Sequence, residues 1–203
     1  MVETLDEKIK KIEEQMARII DEYENYATTL EGTYKCVKRV DIRSIPLLWD
    51  LIKTMESIPN LHTGLKRHIL GYIYDVALDT EIYVTSREEI IQNLRRGIEI
   101  LKNEKGLLKI NELYSLILNG KIFLPNFDNY LEDVRNWAYR NGLTLDQETQ
   151  MWYAQQEVVY DYLKVIIQGL LREPTKYEPL YKQLIETDNL EEFVKNLSTH
   201  IKS

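Results

Sequence analysis

Cysteine is nearly absent: Cys36 is the only one. A single thiol excludes an intramolecular disulfide and any multi-cysteine zinc site, and fits a reducing compartment. Glycine and proline are also scarce, with eight and five among 203 residues. A β-sandwich needs more turns than that, and a disordered chain more breakers. No run of about 18 apolar residues occurs, so no membrane-spanning helix is expected. Charge starts at Glu3, which predicts no signal peptide. The expected location is the cytoplasm. An excess of positive charge is missing too. The net charge of −7 disfavours indiscriminate attachment to nucleic acid or to a membrane surface.

Motifs of chemistry are missing as well. The histidines are His62, His68 and His200, with no His-x-x-x-His, Glu-x-x-His or close cysteine partner, so no metal-ligand set is expected. His62 and His68 stand six apart, which predicts different faces of a helix. No glycine-rich phosphate loop is present. Lys35 and Lys38 flank Cys36 and would lower its pKa, but no base accompanies it, and a small half-buried cysteine is the expected role. No catalytic residue, cofactor or metal ligand is assigned, and the balance is against an enzyme.

What is plentiful is helix-forming and apolar. Ile, Leu, Lys and Glu dominate, and there are 14 tyrosines, a balance common in thermophiles. The most regular stretch comes first. Leu5, Ile9, Ile12, Met16, Ile19, Tyr23, Tyr26 and Leu30 recur at alternating steps of four and three, the 3.5-residue repeat of a coiled-coil seam. Thr4 with Glu7 makes a capping box, and a long amphipathic, heptad-patterned helix is expected over residues 1–33. Ile12 and Ile19 fall where a two-stranded parallel coil prefers Leu, and Ile20 and Ala27 widen the stripe. Packing within the chain is therefore favoured over a seam shared with a partner.

Helical patterning continues to the end. A second helix opens at Ser44 and Pro46, with Leu47, Leu48, Leu51, Ile52 and Met55 inward, and stops at Ile58-Pro59-Asn60. A third covers about 61–83 with Leu65, Ile69, Ile73, Val76 and Ala77 on one stripe; Gly64 and Gly71 weaken it or admit a neighbour. Ser86 with Glu89 caps a fourth, Arg87 to Asn103, burying Ile90, Ile91, Leu94, Ile98 and Leu101. A fifth runs from Leu107 to Leu118 and stops at Asn119-Gly120. Residues 121–125 read as an extended apolar crossing. A sixth helix starts near Asn126 or Asp128 with Phe127, Tyr130, Leu131, Val134, Trp137 and Ala138 inward, and ends at Asn141-Gly142. Thr144 with Gln147 would cap a seventh, reaching about Leu171, with Trp152, Val159, Leu163, Ile166, Ile167 and Leu170 inward. Two short helices close the chain, the last capped by Asp188. The whole predicts an all-α multi-helix bundle of about seven to nine helices in one domain, 1–203, with 119–125 as the candidate subdomain break.

Four features bear on function. Asp75 with Asp79, and Glu157 with Asp161, are carboxylate pairs one turn apart; like charges at that spacing call for exposure or a cation. Basic residues fall in three groups: Lys35, Lys38, Arg39 and Arg43; Lys66 and Arg67; Arg95 and Arg96 with Lys102, Lys105 and Lys109. Converging, they would track phosphates, with Tyr34 and Tyr72 as stacking faces; apart, they balance neighbouring acids, and the acidic total favours balance. Tyr153, Tyr160 and Tyr162 decorate the seventh helix, and Trp137 and Trp152 are candidate anchors for a partner. The leading expectation is a non-enzymatic helical assembly or interaction protein, a subunit of a larger protein or nucleoprotein assembly. Its partner would be another protein or a second copy, docked on the Leu5-to-Leu30 seam or the Trp137/Trp152 region. The alternative is a nucleic-acid-associated helical subunit using Lys35, Lys38, Arg39, Arg43, Arg95 and Arg96.

Overall fold

The computed structural model describes residues 46–82 and 87–201, and Glu7 and Glu14 singly. The heptad stretch with Leu5, Ile9, Ile12, Met16, Ile19, Tyr23 and Tyr26 therefore lies outside the described residues, as do Lys35, Cys36, Lys38, Arg39, Arg43, Ser44 and Ser86. Among the described residues the fold is all-helical, with no strand.

Helix α1, Pro46–Ser57, buries Leu48, Leu51, Ile52 and Met55. Proline suits its first position, where no backbone N–H is needed. Asn60 turns the chain with a φ of 64°, a conformation its short polar side chain tolerates. Helix α2, Thr63–Ile82, puts Leu65, Ile69, Ile73, Val76 and Ala77 inside, and α3, Arg87–Leu101, buries Leu94, Ile98 and Leu101. Helix α4, Glu104–Leu118, begins earlier than the expected Leu107, because the Asn103 side chain accepts the Gly106 N–H and caps it. At its other end Lys121 N–H donates to the Leu116 carbonyl and Gly120 N–H to that of Ile117, with Gly120 at a φ of 63°. That is the Schellman stop expected of Asn119-Gly120.

Residues 121–125 then cross the core surface as the alternation of an extended chain requires. Ile122 and Leu124 are buried and Phe123 is 75% exposed. Helix α5, Phe127–Arg140, closes with the same hydrogen-bond pattern at Gly142. Helix α6, Gln147–Leu163, is capped by Asp146, whose carboxylate accepts the Thr149 N–H at 2.7 Å. The expected Thr144 cap is corrected accordingly: an acid adjacent to the first turn meets the helix dipole better than a hydroxyl two residues back. The helix continues without a break through a π turn, Lys164–Gln168, into α7, Gly169–Arg172. Helix α8, Pro174–Glu186, follows, then α9, Leu190–Leu197, which is capped by Asn189 rather than Asp188.

The α6–α7 rod is the axle of the bundle. Helices α5 and α4 pack on α6, α2 on the π turn and α7, and α3 and α8 on α7. The buried side chains form one hydrophobic cluster from Leu48 to Ile201. The tightest approach is between α3 and α7. A Cβ on Gly97 would come within 2.6 Å of the Leu170 carbonyl oxygen and 2.7 Å of the Leu171 Cα. Nearby, the buried Tyr181 hydroxyl donates to the Leu101 carbonyl at 3.0 Å, and its ring lies where a side chain on Gly106 would have to go.

The π turn follows from the sequence pattern. Val158/Val159, Tyr162/Leu163, Ile166/Ile167 and Leu170/Leu171 are all buried, in pairs that repeat every four residues with no step of three. On a 3.6-residue helix that stripe drifts by about 120° over three steps. The one-residue insertion of a π turn removes most of the drift and keeps all four pairs against the core.

Gly97→Ala should destabilise the protein by about 1–3 kcal/mol, because a methyl there meets backbone that cannot rotate away. Gly71→Ala, in a helix where an added Cβ meets nothing within 4 Å, should stabilise it by about 0.5–1 kcal/mol. Urea unfolding of the two variants checks both, and a neutral Gly97→Ala would contradict the α3–α7 contact.

Candidate functional site

Two surfaces stand out. The first is a groove of about 510 Å³ between α2 and α6, closed at one end by Tyr114 of α4. Its wall on α2 is a stripe at steps of four, three and four: Gly64, His68, Gly71 and Asp75, residues that one helical face brings into line. Gln156 and Tyr160, one turn apart on α6, face it. The groove opens because α2 packs against the π turn and α7 rather than along α6.

Its lining is aromatic. The His68 ring is stacked with Tyr72 at 6.0 Å, edge-on to Tyr114 at 6.1 Å and tilted to Tyr160 at 6.3 Å. Tyr72 is anchored: its hydroxyl donates to the Tyr160 carbonyl at 2.9 Å, and the two rings lie 5.8 Å apart. Lys164 holds its ammonium 5.8 Å from the centre of the Tyr160 ring. Burial lowers the His68 pKa, so the ring is neutral at pH 7. Burial raises Tyr72, and the neighbouring Tyr160, Asp161 and Asp75 add to the rise. Tyr160 is raised by burial, Asp75 and Asp161, with Arg172 opposing. Both stay phenols. The groove therefore offers neutral rings, one carboxylate in Asp75 and one guanidinium in Arg67, which makes no ion pair among the described residues.

The two glycines of the stripe differ. A side chain on Gly64 would overlap the Tyr114 hydroxyl, so its smallness is used in packing. At Gly71 a Cβ would meet nothing within 4 Å among the described residues. The middle of α2 thus gives up about 1 kcal/mol of helix propensity relative to alanine for open space.

The second surface is the α5–α6 hairpin. Trp137 and Trp152 were expected inside, and both are corrected to the surface, 41% and 55% exposed. Trp137 lies 5.6 Å from Tyr153, and Trp152 packs edge-on to Tyr153 at 5.1 Å. Helical pattern misplaced them because the core beside α5 is filled by Tyr130, Val134 and Ala138. Tyr162, which was read as decorating this helix, is instead fully buried and donates to Asn126 Oδ1 at 3.0 Å.

The other sequence candidates are dispersed. Asp79 meets Arg172 at 3.1 Å, the cation its carboxylate pair calls for, and Asp161 accepts the Tyr130 hydroxyl at 2.7 Å. Arg95 and Arg96 are exposed on α3, with Arg96 3.6 Å from Glu178. Lys66 meets Glu56 at 2.8 Å and Lys102 meets Glu99 at 3.4 Å. His62 precedes α2 rather than lying on it, so both His62 and His68 reach the Tyr114 ring. Among the described residues no group of His, Cys, Asp and Glu side chains is placed to hold a metal, and no helix is long and apolar enough to cross a membrane. No protein family, curated protein or solved structure matches the chain.

His68 makes stability pH-dependent. Its folded pKa lies below the ordinary 6.5, so below about pH 6.5 the unfolded chain takes up a proton that the folded one refuses. Stability is lost as pH falls from there toward the folded value. His68→Gln should remove that contribution. Urea unfolding of both proteins from pH 7.5 to 5 should show the wild type losing more stability than the variant; parallel profiles would place His68 in water.

Proposed function

We propose that the chain is a non-enzymatic helical interaction protein that works as a subunit of an assembly, docked through the α5–α6 hairpin. The observation that carries this reading is the Trp137–Tyr153–Trp152 cluster, in which the Tyr153 ring touches both indoles and all three rings are partly open to solvent. Such rings bury much area with little loss of side-chain freedom, which is why they dominate interface energetics. Leaving them in water has an unfavourable hydrophobic term that a partner removes. The simplest partner is a second copy, since most assemblies of soluble proteins are symmetric homo-oligomers.

The alternative nucleic-acid reading through Lys35, Lys38, Arg39, Arg43, Arg95 and Arg96 draws less support from the described residues, where Arg96 and several neighbouring cations stand opposite acids.

Sedimentation velocity across a concentration series tests the docking reading. The wild-type chain should sediment as an oligomer, and Trp137→Ser with Trp152→Ser should shift it to monomer while leaving its thermal midpoint within a few degrees. A wild-type chain that stays monomeric at the highest concentrations, or a double variant that assembles as well as the wild type, would overturn docking of a second copy at the hairpin.

A further inference from the structure

We propose that the α2–α6 groove is a nucleotide-binding site, taking a flat base against the His68 and Tyr160 rings and a phosphate on Arg67. The inference concerns a different surface from the docking cluster and does not depend on it. The groove's volume of about 510 Å³ lies within the range of roughly 300–1,000 Å³ typical of small-molecule sites. Its lining has the composition of such sites, aromatic with a few convergent polar groups: His68, Tyr72, Tyr114 and Tyr160 as rings, and Arg67, Asp75 and Gln156 as polar groups.

The charges select among ligands. A simple ammonium group gains little, because Lys164 already sits over the Tyr160 ring and Arg67 stands in the lining. A carboxylate, Asp75, stands in the same lining. A neutral flat ring with polar edges, carrying a separate negative group, suits every feature. The ring lies against Tyr160 and the uncharged His68, whose faces accept any base by stacking. Asp75 accepts from the base's N–H groups, and Gln156 both donates and accepts. Arg67 takes the phosphate, for which a guanidinium fork is well shaped. The open position at Gly71, where an added Cβ would meet nothing within 4 Å among the described residues, is the space that the ligand fills. The same chemistry is carried by a free nucleotide or by one nucleotide of a single strand.

Calorimetric titration of the full chain distinguishes these. The probes are AMP, GMP, CMP and UMP, the four nucleosides, inorganic phosphate, and six-nucleotide single-stranded RNA and DNA of each base. At least one monophosphate should bind with a Kd below about 1 mM, more tightly than its nucleoside and than phosphate alone. Gly71→Leu should abolish binding, Tyr160→Ala should weaken it about tenfold or more, and Arg67→Gln should bring the nucleotide down to its nucleoside. Circular dichroism must show each variant folded. An oligonucleotide that binds tenfold tighter than its monophosphate identifies a strand as the source, and equal affinities identify the free nucleotide. The site is overturned if no nucleotide or oligonucleotide binds, if phosphate alone binds as tightly, or if a folded Gly71→Leu binds like the wild type. Trp137→Ser with Trp152→Ser should bind nucleotide unchanged, which separates failure of this site from failure of the docking surface.

Discussion

The approach of α3 to α7 at Gly97 is the constraint on which the rest of the bundle rests. Backbone meets backbone there: the Leu170 carbonyl and the Leu171 Cα occupy the space a side chain at position 97 would need. Two helices that close bring their flanking side chains into register, and Leu94, Ile98 and Leu101 of α3 are all fully buried. Tyr181 then clamps the next connection, with its hydroxyl on the Leu101 carbonyl and its ring over Gly106 at the start of α4. The α3–α4 turn, the α8 helix and the end of the α6–α7 rod are thereby tied at one point. A buried phenol with its hydrogen bond made adds specificity as well as stability, since any other seating leaves the hydroxyl unpaired in an apolar environment.

The rod itself shows how a sequence can specify a departure from the ideal helix. Four apolar pairs at a constant spacing of four cannot stay on one face of an α-helix. The chain resolves the conflict at Lys164–Gln168 by widening the turn rather than by exposing a pair. The same adjustment shapes the groove. Helix α2 seats on the widened turn and on α7, and ahead of that contact it leaves an open groove lined by His68, Gly71, Gln156 and Tyr160.

Much of the fold was legible in the sequence. The all-helical class, the apolar stripes of α1 and α2, the two Asn-Gly stops and the extended crossing at 121–125 follow from periodicity and turn chemistry acting locally. The misreadings have a common physical origin. Asp146 and Asn189 replaced Thr144 and Asp188 as caps because several polar residues stood within reach of each helix start, and only the path of the incoming chain decides which side chain meets the free N–H groups. Trp137 and Trp152 were placed inside because an amphipathic pattern reports which face is apolar, while the width of that face depends on what the neighbouring helices leave room for. The groove was legible only in fragments. Gly64, Gly71 and Tyr72 stand out singly, but the line of residues at 64, 68, 71 and 75 acquires meaning only once Tyr160, 88 positions beyond Tyr72, is brought beside it. The four-residue rhythm before Leu171 was the one available sign of the π turn.

Trp152, Gln156 and Tyr160 follow one another at intervals of four on α6, so about 12 Å of helix separates the tryptophan from the tyrosine. The Trp137–Tyr153–Trp152 cluster and the groove thus share one helix. One helix therefore carries both features, and any change in the seating of α6 on the core moves the Trp152 indole and the Tyr160 ring together.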